Sequence, residues 1–192
     1  MITATVDIKG LTPYQQGRMY ADEVPKKGKE THADYEKRTW RHRAHKNKDG
    51  FVVIPPMCFK KALEASCKHR GDKGPKGGKT TWTKYFERGI MLTEPAVLGV
   101  KWEDVDGVLV YVPSDGKPGG GSRVPKWFPT IHPPNWDCTV TYYILDEIIT
   151  REAFEDHLKT SGSFIGIGVF RPENRGFHGR FIPTLREWNA SE

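Results

Sequence analysis

Apolar and polar residues alternate at the start of the chain. Ile2, Ala4, Val6 and Ile8 are apolar and the positions between them are polar, a period of two that predicts a strand with one buried face. Short apolar or β-branched runs predict further strands at residues 51–54, 90–92, 96–102, 108–112, 139–145, 164–170 and 179–185. We therefore expect a protein rich in short strands.

Two segments follow the helical period instead. The first opens at the pair Pro55-Pro56 and ends at Gly71, because proline suits a first helical turn and glycine suits the residue after a last one. Its inward residues recur at spacings of three and four: Phe59, Ala62, Leu63, Ser66 and Cys67. The second has Thr150 as its predicted N-cap and Gly162 as its end. Its inward residues are Ala153, Phe154, His157 and Leu158.

In chain order these elements predict an α+β fold with a ferredoxin-like, RRM-like β-α-β-β-α-β core. The open sheet face of such a core commonly binds single-stranded RNA. The 192 residues suit one domain, which we assign to residues 1–192. Residues 20–50 and 71–83 are basic insertions within it, and we expect the first to be extended and ordered only by a partner.

Composition limits the cellular setting. No apolar stretch approaches the roughly 18 residues of a membrane span, and the first residues lack the basic segment of a signal peptide. Three cysteines without a CxxC pair predict free thiols in a reducing compartment. We expect a cytoplasmic protein with no membrane partner.

Charge is distributed unevenly along the chain. The net charge is +6, but residues 26–84 hold 17 Lys and Arg against 6 Asp and Glu, a net +11, which leaves −5 for the rest. Such asymmetry predicts a cationic face for a polyanion. A solvated, flexible insertion is the alternative, and the interleaved aromatic residues favour the polyanion. The acidic residues Glu152, Glu155 and Asp156 on the second helix suggest head-to-tail contacts between copies.

Residues 165–181 combine glycine, arginine and aromatic residues after an apolar run. Glycine lets the backbone approach a ligand closely, arginine pairs with phosphate, and aromatic rings stack on bases. This combination predicts a loop that holds a nucleic-acid backbone. A glycine-rich turn with solvated arginines is the alternative.

Candidate nucleic-acid contacts follow from these patterns. Lys60 and Lys61 lie at a predicted helix N-terminus, where phosphates bind. Arg171, Arg175 and Arg180 would clamp the backbone, and Phe177, Trp40 and Tyr14 would stack on bases. The other candidates are the basic residues Arg18, Arg38, Arg41, Arg43, Lys76, Lys79 and His178.

No motif predicts a cofactor, a metal or a catalytic residue. Gly78-Lys79-Thr80 resembles the end of a phosphate-binding loop, but Lys73 stands where the motif needs its first glycine. His42-x-x-His45 and Cys67-x-His69 lack the second pair that structural zinc requires. His178 could act as an acid or base in RNA cleavage, but we favour a neutral binding contact for it.

Two segments resemble a known family. Val53-Ile54-Pro55-Pro56-Met57-Cys58-Phe59-Lys60-Lys61-Ala62-Leu63 resembles the strand-to-helix element of the RAMP superfamily, the Cas7-like backbone proteins of CRISPR effectors. Gly166-x-Gly168 followed by Arg175-Gly176-Phe177-His178-Gly179-Arg180-Phe181 resembles the C-terminal glycine-rich loop of that superfamily. The chain also resembles small stand-alone relatives encoded by phages, which implies a bacterial or phage-infected cell.

The resemblance implies sequence-independent binding of single-stranded DNA or RNA by a homo-oligomer that assembles along the strand as a filament. Residues 26–49 and 71–83 would be candidates for the inserted thumb that separates groups of nucleotides in that family. Two alternatives remain open: a RAMP-type endoribonuclease, and a phage protein that acts on host proteins with this fold. The sequence does not separate DNA from RNA.

Overall fold

The computed structural model describes residues 1–77, 79–116 and 121–190. Within them the chain forms four α-helices: α1 (His32–Thr39), α2 (Pro56–Arg70), α3 (Thr83–Gly89) and α4 (Arg151–Thr160). The strands are β1 (Ile2–Gly10), β2 (Tyr14–Gln15), β3 (Phe51–Ile54), β4 (Ile90–Met91), β5 (Ala96–Lys101), β6 (Asp106–Pro113), β7 (Arg123–Ile131), β8 (Cys138–Ile144) and β9 (Phe181–Ala190).

The main sheet has the order β4-β8-β1-β9, and each neighbouring pair is antiparallel. The alternation predicted for β1 is confirmed, since Ala4, Val6 and Ile8 are buried. They share one core with Phe59 of α2 and Phe154 of α4, so both helices cover the same face of this sheet. Smaller sheets have the orders β2-β7-β6 and β3-β5.

The fold is mixed α+β, as predicted. The elements that build the main sheet and its helical layer follow one another as β1, α2, β4, β8, α4 and β9. This strand-helix-strand-strand-helix-strand order is consistent with an RRM-like fold. The remaining elements lie between these six along the chain.

Both predicted helices are confirmed, but Gly162, the predicted end of the second, lies inside a π-helical turn that continues α4. Proline occupies the first turn of α2, and Gly71 ends it in the left-handed region at φ 65°. The Thr150 hydroxyl accepts a hydrogen bond from the amide of Ala153 at 3.2 Å and caps α4.

The strand predicted at residues 164–170 is wrong. A π-helical turn, Ser161–Ile165, continues α4, and irregular backbone follows it. Gly166 and Gly168 have φ values of 70° and 88°, which a strand does not contain. The apolar residues of this segment therefore belong to an irregular glycine-rich loop and not to a strand.

Residues 20–50 are folded against the protein, so the expectation of a segment ordered only by a partner is wrong. The Arg43 guanidinium lies over the rings of Tyr20 and Phe128, at 5.2 and 5.6 Å from their centroids, and donates to the Trp127 carbonyl at 3.3 Å. These contacts tie α1 and the 3₁₀ turn Trp40–Arg43 to β7. The sequence did not predict these buried contacts of Arg43, because the segment around it is mostly charged.

The open face of the main sheet differs from the stacking platform expected of it. Because side chains alternate along a strand, the residues between the buried positions of β1 point away from the helices. On this face Thr5 donates to Glu187 at 3.2 Å, and Thr139 donates to Asp7 at 2.8 Å. Hydroxyls and carboxylates therefore occupy the centre of the face, where Asp7 also pairs with Arg186 at 3.4 Å.

Candidate nucleic-acid interface

The two segments singled out in the sequence meet at one cavity. Its volume is about 390 Å³, and it lies between β2, the first turns of α2 and the glycine-rich loop. The lining includes Arg18, Met57, Lys61, Gly168 and Arg171. A nucleotide-sized space therefore has cationic side chains from three separate parts of the chain along its wall.

The loop has this shape because two of its glycines allow close backbone approach. Gly179 has φ 68°, and a Cβ there would lie 1.8 Å from the carbonyl oxygen of Ile167. A Cβ on Gly168 would lie 2.5 Å from the carbonyl oxygen of Gln15. Hydrogen bonds of 3.0 Å from the Ile167 amide to the Gly179 carbonyl and of 3.1 Å from the Val169 amide to the Gln15 carbonyl close the loop against β2.

The start of α2 forms one wall of the cavity. No side chain caps this helix, whose first residues follow Pro55. Met57 and Cys58, both from the first turn, line the cavity. Pro56 has no amide hydrogen, and the Cys58 amide already donates to the Pro55 carbonyl at 2.9 Å, so neither is a free donor. The partial positive charge at the start of a helix still attracts anions. Burial raises the pKa of the Cys58 thiol, so this wall stays uncharged.

The cations on the cavity wall are each paired with a carboxylate. Arg171 bonds Glu173 at 2.8 and 2.7 Å and also donates to the Gly168 carbonyl at 2.9 Å. Lys61 pairs with Glu64 at 2.7 Å, and its side chain is 66% exposed. Arg18 pairs with Glu23 and donates to the His42 carbonyl at 3.4 Å. A phosphate would therefore have to replace a carboxylate partner. Glu64 is buried, but it keeps a second cation, Lys60, at 3.1 Å when Lys61 turns to a phosphate.

Lys60 is used elsewhere. Its ammonium donates to the carbonyls of Glu87 and Ile90 at 3.0 and 2.7 Å, at the end of α3, and pairs with Glu64 at 3.1 Å. The predicted phosphate contact of Lys60 is therefore not supported by its position, whereas that of Lys61 is.

Of the three predicted stacking residues, only Phe177 exposes most of its side chain. Phe177 is 66% exposed, whereas Tyr14 is 1% exposed and packs on Trp136 at 5.6 Å between centroids. Burial also raises the pKa of the Tyr14 phenol well above its ordinary value. Trp40 is half-buried, with Trp127 on one side and the Arg41 guanidinium 4.6 Å from its ring. Tyr14 lines the cavity but is buried, so its ring would have to be uncovered before a base could stack on it.

The outer side of the loop holds the other predicted residues. Arg175 is exposed, and it adopts a left-handed φ of 63°. The Arg180 guanidinium donates to the Ser163 carbonyl, and its amide is held by the Thr12 hydroxyl at 3.0 Å. His178 is half-buried, and its Nδ1 lies 2.7 Å from Oε1 of Gln15. Burial and the neighbouring His132 hold the pKa of His178 below its ordinary value.

The structure does not gather the remaining basic residues at the cavity. Arg38 is bound to Glu30 at 2.6 and 2.8 Å, and Arg43 is buried. Lys76 and Lys79 are exposed beyond the other end of α2, which at 15 residues separates them from its N-terminus by roughly 22 Å. Gly78, the glycine of the phosphate-loop-like triplet, lies outside the described residues.

Sequence reasoning missed two buried glutamines on the cavity wall. Gln15 and Gln16 are 1% and 3% exposed. Gln16 donates to the Val53 carbonyl at 2.8 Å and accepts from the His45 amide at 2.6 Å, which joins three segments that form the wall. The pair sits in a short polar stretch that looks like an ordinary loop, so no local signal marked it.

Two other kinds of site are absent from the part of the chain that the structure describes. The described residues contain no group of three or more His, Cys, Asp or Glu that could hold a metal ion. None of their helices is long and apolar enough to cross a membrane.

Comparisons with known proteins give a distant likeness among solved structures only. No family model matches the sequence, and no curated protein matches it. Among solved structures, the crystal structure of Cmr6 from Pyrococcus furiosus is similar over 94% of this chain and 97% of that chain, with 15% sequence identity and a TM-score of 0.45. A likeness this distant assigns neither a family nor a function.

Proposed function

We propose that this protein binds single-stranded DNA or RNA, without sequence preference, along the cavity between α2 and the glycine-rich loop. The observation that carries the proposal is the convergence of Arg18, Lys61 and Arg171 on one nucleotide-sized cavity beside the start of α2. These groups fit phosphate, which is the same in every nucleotide, and the described lining offers no exposed set of base-reading amides. The exposed Phe177 ring, on the same glycine-rich loop but outside the cavity lining, supplies a base-stacking surface.

The fold proposed for this role is a RAMP-like core in which residues 20–50 and 71–83 are insertions. Its support is the order of the elements in the main sheet and the meeting of the two quoted motifs at one cavity. The proposal extends to copies assembled along the strand. Support for this step is modest: Glu152 is exposed, but Glu155 and Asp156 of the same helix already face Arg151 and Arg70.

Lys61 and its neighbour Lys68 provide a matched test. Both lie on α2, both pair with a glutamate, and their side chains are 66% and 62% exposed, but only Lys61 lines the cavity. Fluorescence anisotropy should show that the protein binds labelled oligo-dT and oligo-rU and that affinity falls as salt rises. Lys61→Gln should weaken binding and reduce the slope of log K against log salt by about 0.7, the value of one phosphate contact. Lys68→Gln should change neither.

Three outcomes would contradict the proposal. They are no binding of either oligomer at low salt, a salt-independent affinity, and equal losses in the two lysine variants. A gel of the RNA after incubation separates binding from the endoribonuclease alternative, because a binding protein leaves the RNA intact. Electron micrographs with and without the oligomer test assembly, and particles that stay single on long strands would argue against it.

A further inference from the structure

A chain of hydrogen bonds determines which nitrogen of His178 carries the proton. The Phe128 carbonyl can only accept, so the Thr130 hydroxyl gives it its single proton, at 3.0 Å. The Thr130 oxygen must then accept from the amide nitrogen of Gln15, at 2.8 Å. This orients the amide so that the Gln15 oxygen faces His178 Nδ1 at 2.7 Å. That oxygen can only accept, and Nδ1 therefore holds the proton.

The other ring nitrogen is consequently an acceptor. In a neutral imidazole with a proton on Nδ1, Nε2 carries the lone pair. Within the described residues Nε2 has no hydrogen-bond partner, and it is not among the side-chain atoms sealed from solvent. The half-buried position of the ring disfavours the charged form, which would turn Nε2 into a donor.

An acceptor is the wrong group for a phosphate, whose exposed oxygens also accept. The phosphate-binding role suits Lys61 and Arg171 but not His178. The nucleic-acid group that every RNA residue offers to an acceptor, whatever its base, is the 2′-hydroxyl of ribose. His178 lies beside the exposed ring of Phe177, 4.5 Å between centroids, so a nucleotide stacked there would bring its sugar next to the imidazole.

We propose that Nε2 of His178 accepts a hydrogen bond from the ribose 2′-hydroxyl of a nucleotide whose base stacks on Phe177, and that the protein therefore prefers RNA to DNA. This inference rests on the proposed function, because it names the nucleic acid that the same loop binds. Gln15 acts as a positioning residue, since its amide holds the imidazole in the accepting tautomer.

The test compares oligo-rU with oligo-dU, which differ at the 2′ position and share the base. One neutral hydrogen bond corresponds to an affinity roughly 3- to 10-fold higher for oligo-rU in competition anisotropy. Oligo-2′-O-methyl-U, which has no hydroxyl proton to donate, should bind like oligo-dU. His178→Phe keeps a planar ring without nitrogens, so it should lose the preference for oligo-rU over oligo-dU.

The result separates this inference from the proposed function. Equal affinity of the wild-type protein for oligo-rU and oligo-dU, or tight binding of the 2′-O-methyl oligomer, overturns the 2′-hydroxyl contact and leaves single-strand binding intact. A preference for RNA that persists in His178→Phe also overturns it. Discrimination that follows the base in a series of homopolymers, and not the sugar, would assign Nε2 to a base. Failure of every oligomer to bind overturns the proposed function itself.

Discussion

The guanidinium of Arg43 forms two hydrogen bonds with the carboxylate of Glu36, at 2.8 and 2.7 Å, and both side chains are buried. The pair lies in the segment with the largest excess of charge, between α1 and the 3₁₀ turn that follows it. It turns a lysine-rich insertion into a permanent part of the fold. Arg43 therefore acts in folding, and the exposed lysines around it remain free to act in binding.

Breaking this pair should unfold the insertion or the whole chain more readily. Glu36→Ala leaves a buried guanidinium without its partner, and we expect the free energy of unfolding to fall by about 3–5 kcal/mol. The double variant Glu36→Leu with Arg43→Met removes both charges and should recover most of that loss. Urea unfolding followed by circular dichroism measures both. A loss below about 1 kcal/mol in Glu36→Ala would show that the pair is solvated.

Closure of the glycine-rich loop should depend on Gly179. Gly179→Ala combines a left-handed φ with a Cβ 1.8 Å from a backbone oxygen, so we expect a destabilisation of about 2 kcal/mol or more and weaker oligonucleotide binding. Gly99→Ala is the matched control, because nothing lies within 4 Å of its Cβ position. Thermal melting and anisotropy compare the two variants. If Gly179→Ala matched Gly99→Ala in both, the close approach would have no consequence.

Stability should fall at acid pH because of His157. Burial among Phe86 and Trp82, with Arg70 nearby, lowers the pKa of His157 to about 4, whereas Asp72 and Asp156 oppose this shift. The unfolded chain takes up a proton on this imidazole near its ordinary pKa of 6.5, whereas the folded chain does not. The free energy of unfolding is therefore undiminished by this group above pH 6.5 and decreases as pH falls towards 4. The shift corresponds to roughly 3 kcal/mol.

The variant His157→Leu isolates this effect. It removes the titrating group and also a buried Nδ1 that has no partner among the described residues. We expect the difference in unfolding free energy between this variant and the wild-type protein to grow in favour of the variant between pH 6.5 and 4. A difference that stays constant over that range would mean that His157 is protonated in the folded protein as readily as in the unfolded one.

Lys60 and Lys61 should behave as opposites although they are adjacent in sequence. Lys60→Met removes the ammonium that binds the last carbonyls of α3, so it should cost about 1–2 kcal/mol of stability and leave oligonucleotide affinity unchanged once folding is complete. Lys61→Gln should lose affinity and keep its stability. Melting curves measure the stability of both variants, and binding isotherms measure their affinity for the oligonucleotide. A loss of affinity in folded Lys60→Met that equals the loss in Lys61→Gln would contradict this assignment.

Much of the fold could be predicted because its signals are local. The alternation of β1, the proline start and glycine end of α2, and the Thr150 cap of α4 each involve residues a few positions apart. The strand β7 was missed because it contains Pro125 and Pro129, and proline is rare in the middle strand of a sheet, where β7 lies.

The candidate site could be predicted only in outline. The sequence drew attention to the start of α2 and to the glycine-rich loop, and the structure brings both to one cavity. It did not indicate Gln15, whose function follows from contacts with Thr130 and His178, more than 100 residues away. Nor could it separate Tyr14, which is buried, from Phe177, which is exposed.

The sequence by itself therefore determined the two longer helices, α2 and α4, most strands, the α+β class and the types of residue available to bind a polyanion. Only the tertiary structure decided which of those residues are free to do so. Contacts within the fold already occupy three of them, Lys60, Arg43 and Tyr14. The tautomer of His178 is set by its hydrogen bond with Gln15. The physical reason is that backbone propensity acts between neighbours in the chain, whereas burial, charge pairing and proton position depend on groups that meet only when the chain folds.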